Sequence, residues 1–180
     1  MDRVKFTLFD TAIGRCAIAW AARGIVAVQL PQPSEAQTRV RLKQRYLDIE
    51  EAAPAAAVQY AIERIVALLQ GVPADLSGID LDLDDCPDFN RQVYAIARSI
   101  PPGSTLTYGG IAKQLGGVEL SRQVGTALGQ NPCPILVPCH RVLAAGGKPG
   151  GFSANGGVVT KLKMLAIEGA AVNYTPSLFD

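Results

Sequence analysis

Residues 138–142 read Pro138-Cys139-His140-Arg141-Val142 and join a thiol to the one histidine of the chain. A thiol is a strong nucleophile only as the thiolate, and a nearby imidazole or cation lowers its pKa. A histidine beside a proline-flanked cysteine therefore indicates chemistry at Cys139. The alternative is a buried apolar cysteine beside a surface histidine, and the residues around the pair are needed to choose between the two.

Composition limits the kind of protein. At 48% apolar and 18% charged, the 180-residue chain can bury a core as one large domain or two small ones. No apolar run is long enough to cross a bilayer, and the first residues lack the apolar stretch of a signal peptide. We therefore expect a cytoplasmic or otherwise intracellular protein, in the nucleoid or nucleus if it binds DNA, with no membrane partner.

The cysteines are widely spaced and form no CxxC pair; they are Cys16, Cys86, Cys133 and Cys139. In a reducing compartment they are predicted to be free thiols. One histidine and no cysteine cluster argue against a structural zinc site, so no metal is predicted.

The net charge of +1 is distributed unevenly. Residues 1–86 carry nine Lys/Arg and twelve Asp/Glu, whereas residues 87–180 carry eight and four. Only the second part has the sign that suits a polyanion. The excess is modest, so it permits nucleic-acid binding without demonstrating it.

The first part of the chain predicts a small sheet with helices packed on it. Short β-branched or aromatic stretches at 4–9, 16–20 and 25–30 are separated by glycine turns and suit antiparallel strands. Helices are predicted over 34–46 and 54–70, where apolar residues recur at helical spacing. Residues 80–85 are either a last strand or a linker, and we place a domain boundary after residue 86.

The second part, residues 87–180, is predicted to be mainly helical, which makes the whole chain α+β. A helix from Asp88 is followed by helices over 108–115 and 122–128, with Thr107 and Ser121 as their N-caps. A glycine turn joins the last two, which is the outline of a helix-turn-helix or of an ordinary helical hairpin. Residues 125–127 are small, and such residues let another backbone lie close.

Four ordered blocks resemble one family. Residues 131–142, Asn131-Pro132-Cys133-Pro134-Ile135-Leu136-Val137-Pro138-Cys139-His140-Arg141-Val142, are similar to the active-site segment of the O6-alkylguanine-DNA alkyltransferases, also called methylated-DNA–protein-cysteine methyltransferases. Residues 101–108, 121–127 and 151–169 resemble the approach to the family's helix-turn-helix, its recognition helix, and its closing loop and last helix. The resemblance runs from about residue 89 to 169, and the N-terminal half matches only in length and general pattern.

The resemblance implies DNA repair by a winged-helix-like domain that transfers an alkyl group from O6 of guanine to Cys139. The family arrangement runs from the cysteine through a water molecule to a histidine and on to a glutamate. The corresponding residues here are Cys139, His140 and Glu168. The neighbours Cys139 and His140 would point to opposite sides of an extended segment, leaving room for that water. The product is a thioether, so each molecule would act once and without a cofactor. O4-alkylthymine stays open as a second lesion.

Other residues receive family roles by the same resemblance. Tyr108 would donate to the base ring nitrogen, Lys161 would order the site, and Asn131 would tie the acceptor turn to the recognition helix. The lesion pocket would include Pro134, Val142, Phe152 and Ser153. The alternatives are structural: a packing tyrosine, a surface lysine, an ordinary turn asparagine and a solvated Glu168.

The target base is stacked in duplex DNA and must be rotated out. By resemblance Arg122 fills the vacated space while the recognition helix lies in the minor groove, with little sequence specificity. The predicted DNA-contacting residues are Thr107, Ser121, Arg122, Gly125, Thr126 and Ala127. A protein consumed one lesion at a time is most simply a monomer.

The chain departs from the family pattern by two extra residues between Ser153 and Lys161 and by Thr126, where glycine is common. Cys133 is not a motif position and is interpreted as a packing thiol that could oxidise with Cys139. Two rival functions remain from the residues alone. One is a cysteine hydrolase that turns over, and the other is a DNA protein that binds lesions without chemistry.

Overall fold

The N-terminal part of the computed structural model, which describes residues 3–173, is built on a four-stranded sheet. Strands β1 (Val4–Thr11), β2 (Gly14–Ala21) and β3 (Gly24–Gln29) pair antiparallel, as predicted. Gly24 lies at φ 146°, and a Cβ there would meet the carbonyl oxygen of Asp80 at 2.8 Å. The turn before β3 therefore needs glycine, because the chain at residue 80 lies directly against it.

The prediction of a purely antiparallel sheet is wrong for a fourth strand. β4 (Ile49–Glu51) lies parallel to β1, which gives the order β3-β2-β1-β4. A parallel neighbour needs a crossover connection, and α1 (Glu35–Arg45) supplies it. Of residues 80–85, only Leu81 forms a bridge, to Ile25, so this segment is a connection that touches the sheet rather than a strand.

Helices cover both faces of the sheet. Ser34 caps α1 by accepting from the Gln37 amide, and Leu42 of α1 packs with Phe6 and the small side chains of β2 and β3. On the other face, α2 (Ala56–Leu69) buries one side, including Ile62 and Ile65. The same hydrophobic cluster continues into the second half of the chain, which fixes the position of the candidate site against the sheet.

The second half, as far as residue 173, contains four α-helices and a short strand pair. The helices are α3 (Asp88–Arg98), α4 (Tyr108–Leu115), α5 (Ser121–Gly129) and α6 (Gly157–Ile167). β5 (Leu106–Thr107) pairs parallel with β6 (Val142–Leu143) and places the start of α4 beside the segment after Cys139.

The two predicted helix caps have different outcomes. Thr107 caps α4, because its hydroxyl accepts from the Gly110 amide at 2.9 Å. The predicted cap at Ser121 is wrong. A 3₁₀ turn, Val118–Leu120, precedes α5, so Ser121 is already helical and its hydroxyl donates to the Val118 carbonyl.

The predicted α+β class is confirmed, with a sheet-containing part followed by a helical part. The domain boundary at residue 86 stays a prediction. Across residues 3–173, none of the helices combines the length and hydropathy that crossing a membrane requires.

Candidate active site

The segment between α5 and Cys139, residues 131–138, forms a tight turn that we call the acceptor loop. The Asn131 side chain donates to the Val137 carbonyl and accepts from the Cys133 amide, both at 2.9 Å. Both bonds lie within the loop. The expected hydrogen bond from the Asn131 side chain to the recognition helix is therefore replaced by bonds inside the acceptor loop. Ile135 is buried at φ 74°, a conformation that a β-branched residue rarely adopts.

Cys139 begins one turn of 3₁₀ helix, Cys139–Arg141, rather than lying in an extended segment as the sequence argument assumed. Its side chain is largely buried but keeps some exposure, at 9%. Burial raises the pKa of Cys139, while the Asn131 amide and the Lys161 charge act in the opposite direction. The resting group is therefore a protonated thiol, which needs a base to become a nucleophile.

His140 and Glu168 form a buried pair next to that thiol. Nε2 of His140 lies 2.8 Å from Oε1 of Glu168, and the side chains are 1% and 2% exposed. A carboxylate only accepts, so Nε2 carries the proton and Nδ1 holds the lone pair. Burial lowers the pKa of His140, which keeps the ring neutral, and within residues 3–173 nothing hydrogen-bonds to Nδ1.

Arg141 is a third member of this buried group, and the sequence motif had given it no role. Its Nε and Nη2 donate to the two carboxylate oxygens of Glu168 at 2.9 and 2.7 Å, and Nη1 donates to the Ile100 carbonyl. Burial alone would raise the pKa of Glu168, but the hydrogen bonds from His140 and Arg141 outweigh it and lower the pKa to about 2. Glu168 is therefore a buried anion beside the imidazole at neutral pH, not a solvated residue.

Lys161 is buried, which excludes the alternative of a surface lysine. Its Nζ donates to the carbonyls of Val142 at 2.7 Å and Gly151 at 3.2 Å, and lies 3.5 Å from the Tyr108 hydroxyl. Burial lowers the pKa of Lys161 to about 8. The amine thus joins the segment after Cys139, the loop before α6 and the predicted proton donor.

Tyr108 is the first residue of α4, as expected. Burial, and after it the neighbouring Cys139, raises the pKa of Tyr108, so the phenol keeps its proton at neutral pH. Gly150 lies at φ 69°, and a Cβ there would come within 3.0 Å of the phenol oxygen. Gly150 was not predicted, because its only signal in the sequence is the glycine-rich composition of residues 146–157.

The predicted lesion-pocket residues are dispersed around this centre. Phe152 is half-buried against the core, and Pro134 bridges to Val137 within the acceptor loop. The Ser153 hydroxyl donates to the Gly129 carbonyl at 3.4 Å, at the end of α5. The Val142 carbonyl is already bound by Lys161. Their contacts with a base stay predictions.

α5 presents only part of the predicted DNA surface. Arg122 and Thr126 are exposed, and Ser121 and Gly125 are half-buried, with Gly125 close to the ring of Tyr108. Ala127 is 1% exposed, so the expectation that its side chain contacts DNA is wrong: it faces the core. The half-buried Thr107 serves as the α4 cap.

Known proteins resemble this chain over the region that carries these groups. A family model described as 6-O-methylguanine DNA methyltransferase, DNA binding domain, matches residues 88–170. The methylated-DNA–protein-cysteine methyltransferase of Mycolicibacterium paratuberculosis is 40% identical over 121 residues, covering 67% of this chain and 70% of that protein. The one from Methanosarcina acetivorans is 31% identical over 166 residues, covering 92% and 98%. This chain belongs to the methylated-DNA–protein-cysteine methyltransferase family.

Solved structures agree with the family assignment across the whole described fold. The crystal structure of Mycobacterium tuberculosis OGT in complex with DNA has a TM-score of 0.74 at 30% identity and covers 92% of both chains. The O6-methylguanine methyltransferase of the same organism gives the same TM-score and identity, covering 98% of this chain and 99% of that one. The N-terminal half, where the sequence showed only a general pattern, thus shares the family architecture.

For a methylated-DNA–protein-cysteine methyltransferase, the centre holds the required chemical groups. A protonated thiol at Cys139 is followed in the chain by a neutral imidazole, a buried carboxylate holds that imidazole, and a nearby phenol keeps its proton. Within residues 3–173 there is no cluster of histidine, cysteine or acidic side chains that could hold a metal ion. Cys16 and Cys133 are also buried free thiols, but burial raises the pKa of each to about 12.

Proposed function

We propose that this protein repairs DNA by moving an alkyl group from O6 of guanine to Sγ of Cys139, once per molecule. The observation that carries the proposal is the buried His140–Glu168 pair beside Cys139, with its unbonded Nδ1 lone pair. Family membership supports the same reaction. Alkylated guanine is the first substrate, and O4-alkylthymine is a second lesion to test.

The transfer is a direct displacement. The thiol proton of Cys139 moves toward Nδ1 of His140, through a water where the atoms do not meet directly, and Glu168 stabilises the resulting imidazolium. Sulfur then forms a bond to the alkyl carbon as the bond from that carbon to O6 breaks. The product is a thioether, which has no carbonyl for water to attack, so the protein is consumed.

Guanine leaves more easily when its developing negative charge is stabilised. Tyr108 is suited to donate to the base ring nitrogen because burial raises its pKa and keeps its proton in place until that charge appears. Lys161 holds the Val142 and Gly151 carbonyls, and with them the two segments that border the base. Ser153 supplies a further donor near O6 once its contact with Gly129 is exchanged for the lesion.

The lesion reaches this buried centre by leaving the base stack. Arg122, exposed at the start of α5, fills the space left in the duplex, and Thr126 lies on the same helix. The crystal structure of M. tuberculosis OGT in complex with DNA supports DNA as the partner. We propose minor-groove contact with little sequence specificity, by a monomer in the cytoplasm or nucleoid.

Intact-mass measurement tests the reaction. The protein is mixed with a duplex carrying one O6-methylguanine, in parallel with Cys139→Ala and with the matched control Cys133→Ala, which removes a buried thiol from the same loop. We expect the wild type and Cys133→Ala to gain one methyl group, to stop at one equivalent, and to carry it on Cys139. Cys139→Ala gains none.

Two outcomes would contradict the proposal. Binding of the duplex without a mass change would indicate a protein that only binds lesions. Continued product formation beyond one equivalent would indicate a cysteine enzyme that turns over. A parallel duplex with O4-methylthymine shows whether the second lesion is repaired.

A further inference from the structure

At its C-terminal end, α5 meets the acceptor loop and the loop before α6, which carries Ser153. The last carbonyl groups of a helix have no partner within it and take donors from elsewhere. Here the Ala127 carbonyl accepts from the Gln130 amide that follows the helix, at 3.2 Å, and more closely from the Tyr94 hydroxyl of α3, at 2.7 Å. The Gly129 carbonyl accepts from Ser153, and Asn131 begins the acceptor loop two residues later.

The contact from α3 is the most buried of these. Tyr94 is 1% exposed, and the neighbouring Asn90 is 8% exposed. The Asn90 amide donates to Oε1 of Gln130 at 3.0 Å and lies 3.5 Å from the Tyr94 oxygen, so one small network holds two successive turns at the end of α5. Burial raises the pKa of Tyr94 to about 12, which keeps its hydroxyl a donor at any physiological pH.

We propose that Tyr94 is a positioning residue for repair, because its hydroxyl fixes the end of α5 and thereby the spacing between Arg122 and Cys139. This inference rests on the proposed function. Nothing in the sequence pattern marked Tyr94. The structure distinguishes it, since its hydroxyl reaches a different helix rather than solvent.

The geometry explains why a hydroxyl group at this point affects the reaction. α5 carries Arg122 near its first turn and joins the acceptor loop at its last, so the helix is the connection between the DNA contact and the thiol. Arg122 lies about 7.5 Å along the axis from Ala127, at roughly 1.5 Å per residue. A shift at the held end therefore moves the DNA contact relative to Cys139, and misplacement of about 1 Å can slow a reaction strongly.

Two rates on the same protein separate positioning from simple folding. The first is the single-turnover rate of methyl transfer from a duplex with one O6-methylguanine, which needs α5 and Cys139 in register. The second is methylation of Cys139 by methyl iodide, mapped by mass, which needs only the thiol and its neighbours. Loss of stability alone lowers both or neither.

Tyr94→Phe removes the hydroxyl and keeps the ring. We expect the duplex rate to fall about tenfold, because the Ala127 carbonyl loses the shorter bond from α3 and keeps only the Gln130 amide at 3.2 Å as its donor. The methyl iodide rate should stay within about twofold of wild type. Asn90→Ala should also lower the rate of methyl transfer from the duplex, by a smaller factor than Tyr94→Phe. The matched control is Tyr46→Phe, whose hydroxyl donates to the Val26 carbonyl at 3.2 Å in the N-terminal part and whose loss should change neither rate.

The outcomes are distinct. Equal duplex rates for Tyr94→Phe and wild type overturn the inference, and so does a parallel fall of both rates that follows a drop in melting temperature. Failure of the wild type to accept a methyl group from the duplex, with a normal methyl iodide rate, would instead overturn the proposed function.

Discussion

Arginine and glutamate meet in two very different settings in this protein. On the N-terminal surface Arg39 bonds to Glu51 at 3.0 Å, and the two side chains are 34% and 49% exposed. In the candidate site Arg141 bonds to Glu168 at 2.7 Å, and the side chains are 5% and 2% exposed. The distances are alike, so the difference in consequence comes from the surroundings.

The surroundings determine what each pair contributes. An exposed pair is screened by water and contributes little to stability. A buried pair loses its hydration, and the attraction between the partners often does no more than offset that loss. We infer that the buried group is retained for the charge that Glu168 supplies to His140, and that Arg141 keeps this carboxylate ionised. Predictions about the two pairs test this difference.

Removing one buried partner should have the largest effect. Arg141→Met leaves the Glu168 carboxylate buried with His140 as its remaining side-chain partner and the Ile100 carbonyl without its donor. We expect the free energy of unfolding to fall by about 3–5 kcal/mol, measured by urea denaturation. Arg39→Met is the surface counterpart and should lie close to wild type. Equal small effects would contradict the distinction between the pairs.

Acid should weaken the fold through Glu168. The folded pKa is about 2 against an ordinary value of 4.5, so between these values the unfolded chain binds a proton that the folded chain does not. The stabilisation is therefore complete above pH 4.5 and is lost as the pH falls toward 2, by about 3 kcal/mol in all. Between pH 4.5 and 2, the unfolding free energy of Glu168→Gln should change clearly less with pH than that of the wild type. An equal slope for the two proteins would contradict the assignment of this acid sensitivity to Glu168.

The smallest effect is expected at the surface. Glu51→Gln removes the carboxylate that bonds to Arg39, and the change in unfolding free energy should be slight at low salt. At about 1 M salt, where charges are screened beyond roughly 3 Å, the difference from wild type should vanish. The effect of Arg141→Met should persist at the same salt concentration, because water and ions do not reach the buried pair. Equal salt sensitivity of both variants would show that burial is not the deciding factor.

The sequence was most informative where chemistry restricts residue type. The pairing of Cys139 with His140, the carboxylate of Glu168 and the phenol of Tyr108 were all assigned from the matched blocks, and the structure brings them to one place. Arg141 stood in the same motif without a role. An arginine inside the largely apolar stretch 133–143 needs a counter-charge if it is buried, so the sequence does contain a signal for a buried acidic partner of Arg141.

Local patterns failed where tertiary packing decides. β4 has only three residues, of which Glu50 and Glu51 are charged and exposed, so no alternation marked it. Ser121 has the chemistry of an N-cap, but the preceding 3₁₀ turn takes that place in the chain. Ala127 was assigned to the DNA surface together with the rest of the recognition helix, although its small side chain packs against the core. Small residues on a helix indicate that another group packs closely against it, but they do not show whether that group belongs to the protein core or to DNA.

The left-handed backbone at Ile135 ties the conformation of the acceptor loop, and with it the reactivity of Cys139, to the folded protein. Such a conformation costs on the order of 1–3 kcal/mol and persists only when its surroundings enforce it. Here the bonds of Asn131 to both ends of the loop and the burial of Ile135 enforce it. A short peptide with the sequence of residues 131–142 lacks these surroundings and would adopt other conformations, so the motif would not keep this geometry outside the fold. Its chemistry belongs to the folded protein as a whole.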